Sequence, residues 1–185
     1  MIYPIVAYGD PVLRKKSDEI TIDYPNLSEL IDNMFLTMYK SNGVGLAAPQ
    51  IGLAIRLFVI DAAPFKDDNP EVENFKKVFI NAQILEEEGK KWKFNEGCLS
   101  IPGIREDIDR KPTITIQYQD EDFVTHTETF DGVKARIIQH EYDHIEGILF
   151  VDYLTPLKKQ LVKGRLSTIS KGIVDVDYRM KFFKK

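Results

Sequence analysis

Cysteine is almost missing from this 185-residue chain: Cys98 is its one thiol. A lone cysteine excludes an intramolecular disulfide and any CxxC zinc knuckle. Taken alone it reads as a small buried hydrophobe. Histidine is nearly as scarce, with only His126, His140 and His144. No apolar run approaches the ~18 residues of a membrane span. The start, MIYPIVAYGDPVL, has no basic segment ahead of an unbroken apolar one, because Pro4 and Asp10-Pro11 interrupt it. The expectation is a cytoplasmic protein with no signal peptide and no membrane contact. An overall excess of positive charge is also lacking. The formal net charge is −4, with 29% charged and 43% apolar residues, a balance that points neither to DNA binding nor to disorder.

The length fits one catalytic domain, 1–185, with a sizeable core. Charge is uneven along it. From Pro156 onward the chain carries Lys158, Lys159, Lys163, Arg165, Lys171, Arg179, Lys181, Lys184 and Lys185 against Asp175 and Asp177. That is a net +7, leaving −11 for the rest. The simpler reading of this region, about 156–185, is a solvated helix face whose basic end suits the helix dipole. The sharper one is contact with a polyanion such as ribosomal RNA.

Leu27, Leu30, Ile31, Met34, Phe35 and Met38 recur at helical spacing and predict a helix near 26–40, with Asn26 or Ser28 as cap. GVGLAAPQIG then reads as a glycine-rich loop. IRLFVID (55–61) reads as a buried strand, 62–76 as a polar surface loop, and KVFINAQIL (77–85) and KKWKF (90–94) as strands. TITIQYQ and FVTHTETF flank Asp-Glu-Asp as an antiparallel hairpin. Asp131 caps a helix that Gly147 ends, and a last helix spans about 156–170. The final VDVDYRMKFFKK reads as a short strand or a loose tail. Strands in hairpins rather than in alternation with helices favour α+β over a doubly wound sheet. The fold expected is antiparallel or mixed sheets packed around a central helix, with an N-terminal and a C-terminal helix beside them.

That central helix carries QHEYDHIEG, 139–147, an HExxH pattern. Residues four apart share a helix face, so His140 and His144 can hold one metal ion. A third ligand is needed. No glutamate follows Glu146, and Phe150 stands where an extended HExxHxxGxxH motif has its last histidine, so both common peptidase patterns fail. Asp152 lies beyond the helix-ending glycine, and His126 sits in a strand pattern that suits a surface residue. The remaining soft ligand is Cys98, in FNEGCLSIPG, where Gly97 allows close backbone approach and Pro102-Gly103 reads as a turn. A thiolate beside two imidazoles would bind Fe(II) or Zn(II) and leave a fourth position for water, as catalytic sites do. Glu141, next to the first histidine, could reach that water without binding the ion and serve as general base and acid. GVGLAA also matches a loose dinucleotide pattern, but a helix precedes it where a strand is needed and Pro49 interrupts the helix that should follow.

GVGLAAPQ (43–50), EGCLSIPG (96–103) and QHEYDHIEG (139–147) resemble, in order and spacing, the three motifs of the peptide deformylase family. YPIVAYGDPVLRKKS and LFVDYL resemble it as well, so the likeness runs from about residue 2 to about 165. Asn42 and Gly103, which flank motifs, are positions where variation is expected. The resemblance implies a metal-dependent hydrolase that removes the formyl group from the N-terminal formylmethionine of nascent polypeptides and releases formate. It implies metal ligands Cys98, His140 and His144, with Fe2+ the ion expected in the cell and Zn2+, Ni2+ or Co2+ able to substitute. It also implies that the Gln50 side-chain amide and the Leu99 backbone N–H stabilise the oxyanion beside the metal. An extended peptide could add as a strand against Gly45. Val44, Phe94, Val133 and Ile137 are candidates for a methionine pocket, and Arg105 for steering the peptide. Two rival readings stand beside this one: an HExxH endopeptidase, and an RNA-binding module with a structural metal. Glu141 separates the last, because a structural site has no use for a carboxylate there.

Overall fold

The computed structural model describes residues 1–183; Lys184 and Lys185 of the basic tail lie outside the described residues. In chain order the elements are β1 (Ile5–Val6), α1 (Leu27–Lys40), β2 (Gly45–Ala47), β3 (Leu57–Asp61), β4 (Lys76–Glu88), β5 (Trp92–Cys98) and β6 (Ile101–Arg110). They continue with β7 (Thr113–Gln119), β8 (Thr125–Asp131), α2 (Gly132–Ile145), α3 (Pro156–Ser170) and β9 (Met180–Lys181). Strands β2-β3-β4-β7-β8 form one antiparallel sheet; β5 and β6 form a hairpin, and β1 and β9 a short parallel pair. The architecture is α+β, as expected.

The apolar run of β3 explains how the sheet is covered. Leu57 and Val59 face one cluster with Leu30, Ile31, Met34 and Met38 of α1, while Phe58 and Ile60 face another with Ile137, Ile138 and Ile145 of α2. Because side chains alternate along a strand, a strand buried on both faces must be apolar throughout. Ten of the fourteen residues of α2 are buried, including Arg136, Gln139, Glu141, Asp143 and His144. That rules out a surface helix with two solvated histidines. Polar groups buried at that density must find partners or a ligand. Gly147, at φ +74, ends the helix: its N–H reaches His144 O, and Ile148 N–H reaches Asp143 O at 2.8 Å. A Cβ there would also lie 2.7 Å from Arg14 O.

Several local expectations need correction. Part of the glycine-rich loop, Gly45–Ala47, is the edge strand β2. Residues 62–76 are not a plain surface loop but hold two short 3-10 turns, and Val72 and Phe75 join the core. Strand β5 runs to Cys98 rather than stopping at 94, and β6 was not expected at all. The turn between them is therefore Leu99–Ser100 and not Pro102-Gly103. Proline is tolerated at 102 because the register shifts between the Gly97–Arg105 and Cys98–Ile101 pairs, which leaves 102–104 without strand partners. Asn26 and Asp131 occupy the N-cap positions of α1 and α2, yet neither side chain makes a capping bond. In contrast, the Thr155 hydroxyl accepts the Lys158 N–H at the start of α3. Within the described part of the tail, Met180–Lys181 form a short strand, β9, paired with β1.

Candidate active site

Two elements carry the candidate metal-ligating groups. Helix α2 sets His140 and His144 on one face with ring centroids 5.2 Å apart. The end of β5 brings Cys98 to them, with Sγ 3.3 Å from His144 Nε2. One donor atom from each of Cys98, His140 and His144 lies within 4.8 Å of the others. The 3.3 Å separation is near the roughly 3.5 Å that a zinc–sulfur bond of about 2.3 Å and a zinc–nitrogen bond of about 2.05 Å span at a tetrahedral angle. The alternatives fall away by position. His126 pairs with Asp120 at 2.6 Å, and Asp152 pairs with Arg14 and accepts the Leu149 N–H.

The surroundings fit an ion. His140 Nδ1 lies 2.9 Å from Glu96 Oε2, so with the proton on Nδ1 the Nε2 lone pair is free to bind metal. His144 Nδ1 and Glu141 Oε2 are buried without a hydrogen-bond partner. Burial pushes the Glu141 carboxyl up to about 7, with Glu96 and Asp143 adding repulsion that His140 offsets in part. Burial also pushes His144 well below the ordinary imidazole value, which keeps it neutral and able to bind metal. Gly45 faces Glu141: a Cβ at that position would overlap the carboxylate and lie 2.7 Å from its Cγ. The bare backbone of β2 thus seats Glu141, a role distinct from the peptide contact expected of Gly45. Gln50, 2% exposed, is also pinned: its Oε1 accepts the Ala47 N–H at 2.8 Å, which turns Nε2 toward Cys98 Sγ at 3.5 Å.

Glu96 is the residue that sequence reasoning passed over. Its carboxylate accepts Arg110 Nε at 2.7 Å, Arg110 Nη2 at 3.0 Å and Arg136 Nη1 at 3.0 Å, and it meets His140. Burial pushes the Glu96 carboxyl up, but the hydrogen bonds from His140 and Arg110 outweigh it and hold the group well below the usual carboxylate range. Arg110 also donates to Asp143 Oδ2 at 2.7 Å, and Arg136 caps the Ile108 and Trp92 carbonyls. The signal was present. Glu96 stands two residues before Cys98 on one strand, hence on the same face, and Arg136 stands four before His140 on one helix.

Beside the donors lies an open cleft of about 850 Å³, lined by Val44, Gly45, Gln50, Phe94, Cys98, Leu99, Arg105, Ile137, His140 and Glu141 among others. Val133 does not line it; one turn before Ile137, it is buried in the core between α2 and the sheet. Arg105 lines the cleft but makes no ion pair among the described residues. Its guanidinium donates to Asn95 Oδ1 and Asn95 O, each at 2.8 Å, and lies over Gly97.

Two imidazoles, one thiol and an adjacent carboxyl, open on one side to a cleft, are the kind of donor set that metal-dependent hydrolases use. The polypeptide deformylase family model matches residues 2–160. The peptide deformylases of Christiangramia forsetii and Flavobacterium johnsoniae are each 60% identical over 189 residues, covering 98% of this chain and 96% of theirs. The crystal structure of a peptide deformylase from Legionella pneumophila superimposes with a TM-score of 0.81 at 38% identity, covering 92% of this chain and 96% of that one. This chain belongs to the peptide deformylase family, hydrolases that remove the formyl group from an N-terminal methionine. No helix among the described residues is long and apolar enough to cross a membrane.

Proposed function

We propose that Cys98, His140 and His144 hold one divalent ion, Fe2+ in the cell, in one catalytic domain spanning the chain. The observation that carries this reading is their convergence within 4.8 Å beside the partnerless Glu141 Oε2. A divalent ion held by these three residues would supply Lewis acidity, lowering the pKa of a water and polarising a carbonyl. Glu141 accepts the proton of the attacking water and returns it to the departing amine nitrogen, a transfer suited to a carboxyl raised to about 7. The Gln50 amide and the Leu99 N–H donate to the formyl oxygen as it gains charge. Val44, Phe94 and Ile137 take the methionine side chain, Gly45 lets the extended peptide approach, and Arg105 orients it.

Metal analysis and formate release are measured on one anaerobically purified sample. Iron in stoichiometric amount, formate from a formyl-Met peptide, and no cleavage of the same peptide without its formyl group are the expected results. Internal peptide-bond cleavage would instead support the endopeptidase reading.

We further propose that the protein acts in the cytoplasm on nascent chains and touches the ribosome through α3. Support comes from exposed Lys159 and Lys163 alongside Leu157 and Leu161, which are 68% and 71% exposed. Co-sedimentation with ribosomes that weakens as salt rises is the expected outcome; binding insensitive to salt would count against it.

A further inference from the structure

The segment after α3 returns across the cleft. Asp175, Val176, Asp177 and Tyr178 line one side of it, and this stretch lies beyond the residues that the family model matches. It is anchored by the β1–β9 pair, where Ile5 N–H donates to Arg179 O at 2.8 Å and Ala7 N–H to Lys181 O at 2.9 Å. From that anchor Tyr178 Oη donates to the Leu99 carbonyl oxygen at 2.8 Å. Leu99 and Ser100 form the two-residue turn that joins Cys98 to its strand partner Ile101. The second carbonyl of the turn, Ser100 O, accepts the Tyr8 N–H at 2.8 Å, just past β1. Both carbonyls of the turn are therefore held from the β1–β9 pair. The Leu99 N–H, by contrast, meets no acceptor among the described residues, and Leu99 lines the cleft.

We propose that Tyr178 is a positioning residue for deformylation: by holding the Leu99 carbonyl it fixes the turn so that the Leu99 N–H faces the formyl oxygen. The inference rests on the reading of that N–H as an oxyanion donor. Peptide planes are rigid, so a two-residue turn has few torsions with which to aim an N–H. Fixing the next carbonyl removes part of that freedom. A misplacement of about 1 Å can cost on the order of 10²-fold in rate. Losing one oxyanion donor outright costs about 10²–10³-fold, which sets the ceiling for a residue that only aims it.

The test is full-length Tyr178→Phe, which keeps the ring packed against the α1 core while removing the hydroxyl. It is compared with the wild type, both metal-loaded, for kcat per bound metal, KM and amide hydrogen exchange of the free protein over Leu99–Ile101. The expected result is a kcat about tenfold lower, KM unchanged within about twofold, full metal content, and faster exchange in the turn. Unchanged kcat, a rise in KM alone, a metal loss that accounts for the whole change, or unaltered exchange would each overturn the proposal. An active wild type with an unaffected variant sinks this inference only. A wild type that releases no formate sinks the deformylase reading and this inference with it.

Discussion

Replacing Glu141 with glutamine leaves a folded, metal-binding protein whose formate release falls by about 10²–10⁴-fold, the usual contribution of general acid–base catalysis. The amide matches the carboxylate in size and fits under Gly45 as the native side chain does. Glu141 is not one of the three donors, so metal content should hold. What is lost is a group that can take a proton from water and hand it to the amine. Amines leave poorly unless protonated, so no other step compensates. Stability moves the opposite way from activity. Burial raises the Glu141 carboxyl to about 7, so in the metal-free protein ionising it costs stability as pH rises from the ordinary carboxylate range through that value. Glutamine carries no charge to desolvate, and the metal-free variant should melt at the same temperature or higher near neutral pH. The measurements are metal stoichiometry, thermal melting and formate release on one preparation. A variant that keeps more than about a tenth of wild-type activity would mean that Glu141 is not the proton carrier.

Arg110→Met should destabilise the protein by about 3–5 kcal/mol, the usual penalty for removing one partner of a buried charge network. Arg110 is 6% exposed and joins two buried carboxylates, bidentate to Glu96 and single to Asp143. Its guanidinium also lies over the Tyr153 ring at 4.6 Å, and Tyr153 Oη donates to Asp143 Oδ1 at 3.0 Å. Methionine fills much of the space but leaves Asp143 with one neutral donor. Burial already raises the Asp143 carboxyl against the opposing pull of Arg110, so removing the guanidinium should raise it further. Glu96 keeps Arg136 and His140, yet loses the fork that fixes its plane. Since Glu96 orients His140, metal affinity should also fall about 10–100-fold, the range seen when such outer partners are removed. Denaturant unfolding of the metal-free protein and competition with a chelator check the two effects. A change below about 1 kcal/mol with unaltered affinity would show that the network neither holds the fold nor aims the ligand.

The helices were legible because their apolar residues recur at helical spacing, as Leu30, Met34 and Met38 do. The β7–β8 hairpin was legible from alternation about a short acidic turn. Strand β6 was not. In IPGIREDIDR the only regular apolar signal is Ile101, Ile104 and Ile108, which does not alternate, and Pro102-Gly103 looks like a turn. Those isoleucines are buried against Phe150, Leu154, Val162 and Leu166, a surface built by chain some fifty residues downstream. Val133 shows the same kind of limit: helical spacing puts it in line with Ile137, and only the packed sheet decides that one lines the cleft and the other the core.

At the site, residue types and their spacing set which chemistry is available. The chain holds one thiol, a histidine pair four apart on a helix, and a carboxylate beside the first of them. Local periodicity fixes which side chains share a face, so that much needs no fold. It takes the packed fold to bring Cys98 to His144, to set Glu96, held by two buried arginines, against His140, to seat Glu141 under Gly45, and to bond Tyr178 to the Leu99 turn. These are contacts between residues distant along the chain. They exist because burying both faces of one sheet brings α2, β2, β5 and the C-terminal segment into a single volume, where every buried polar group must find a partner or a ligand.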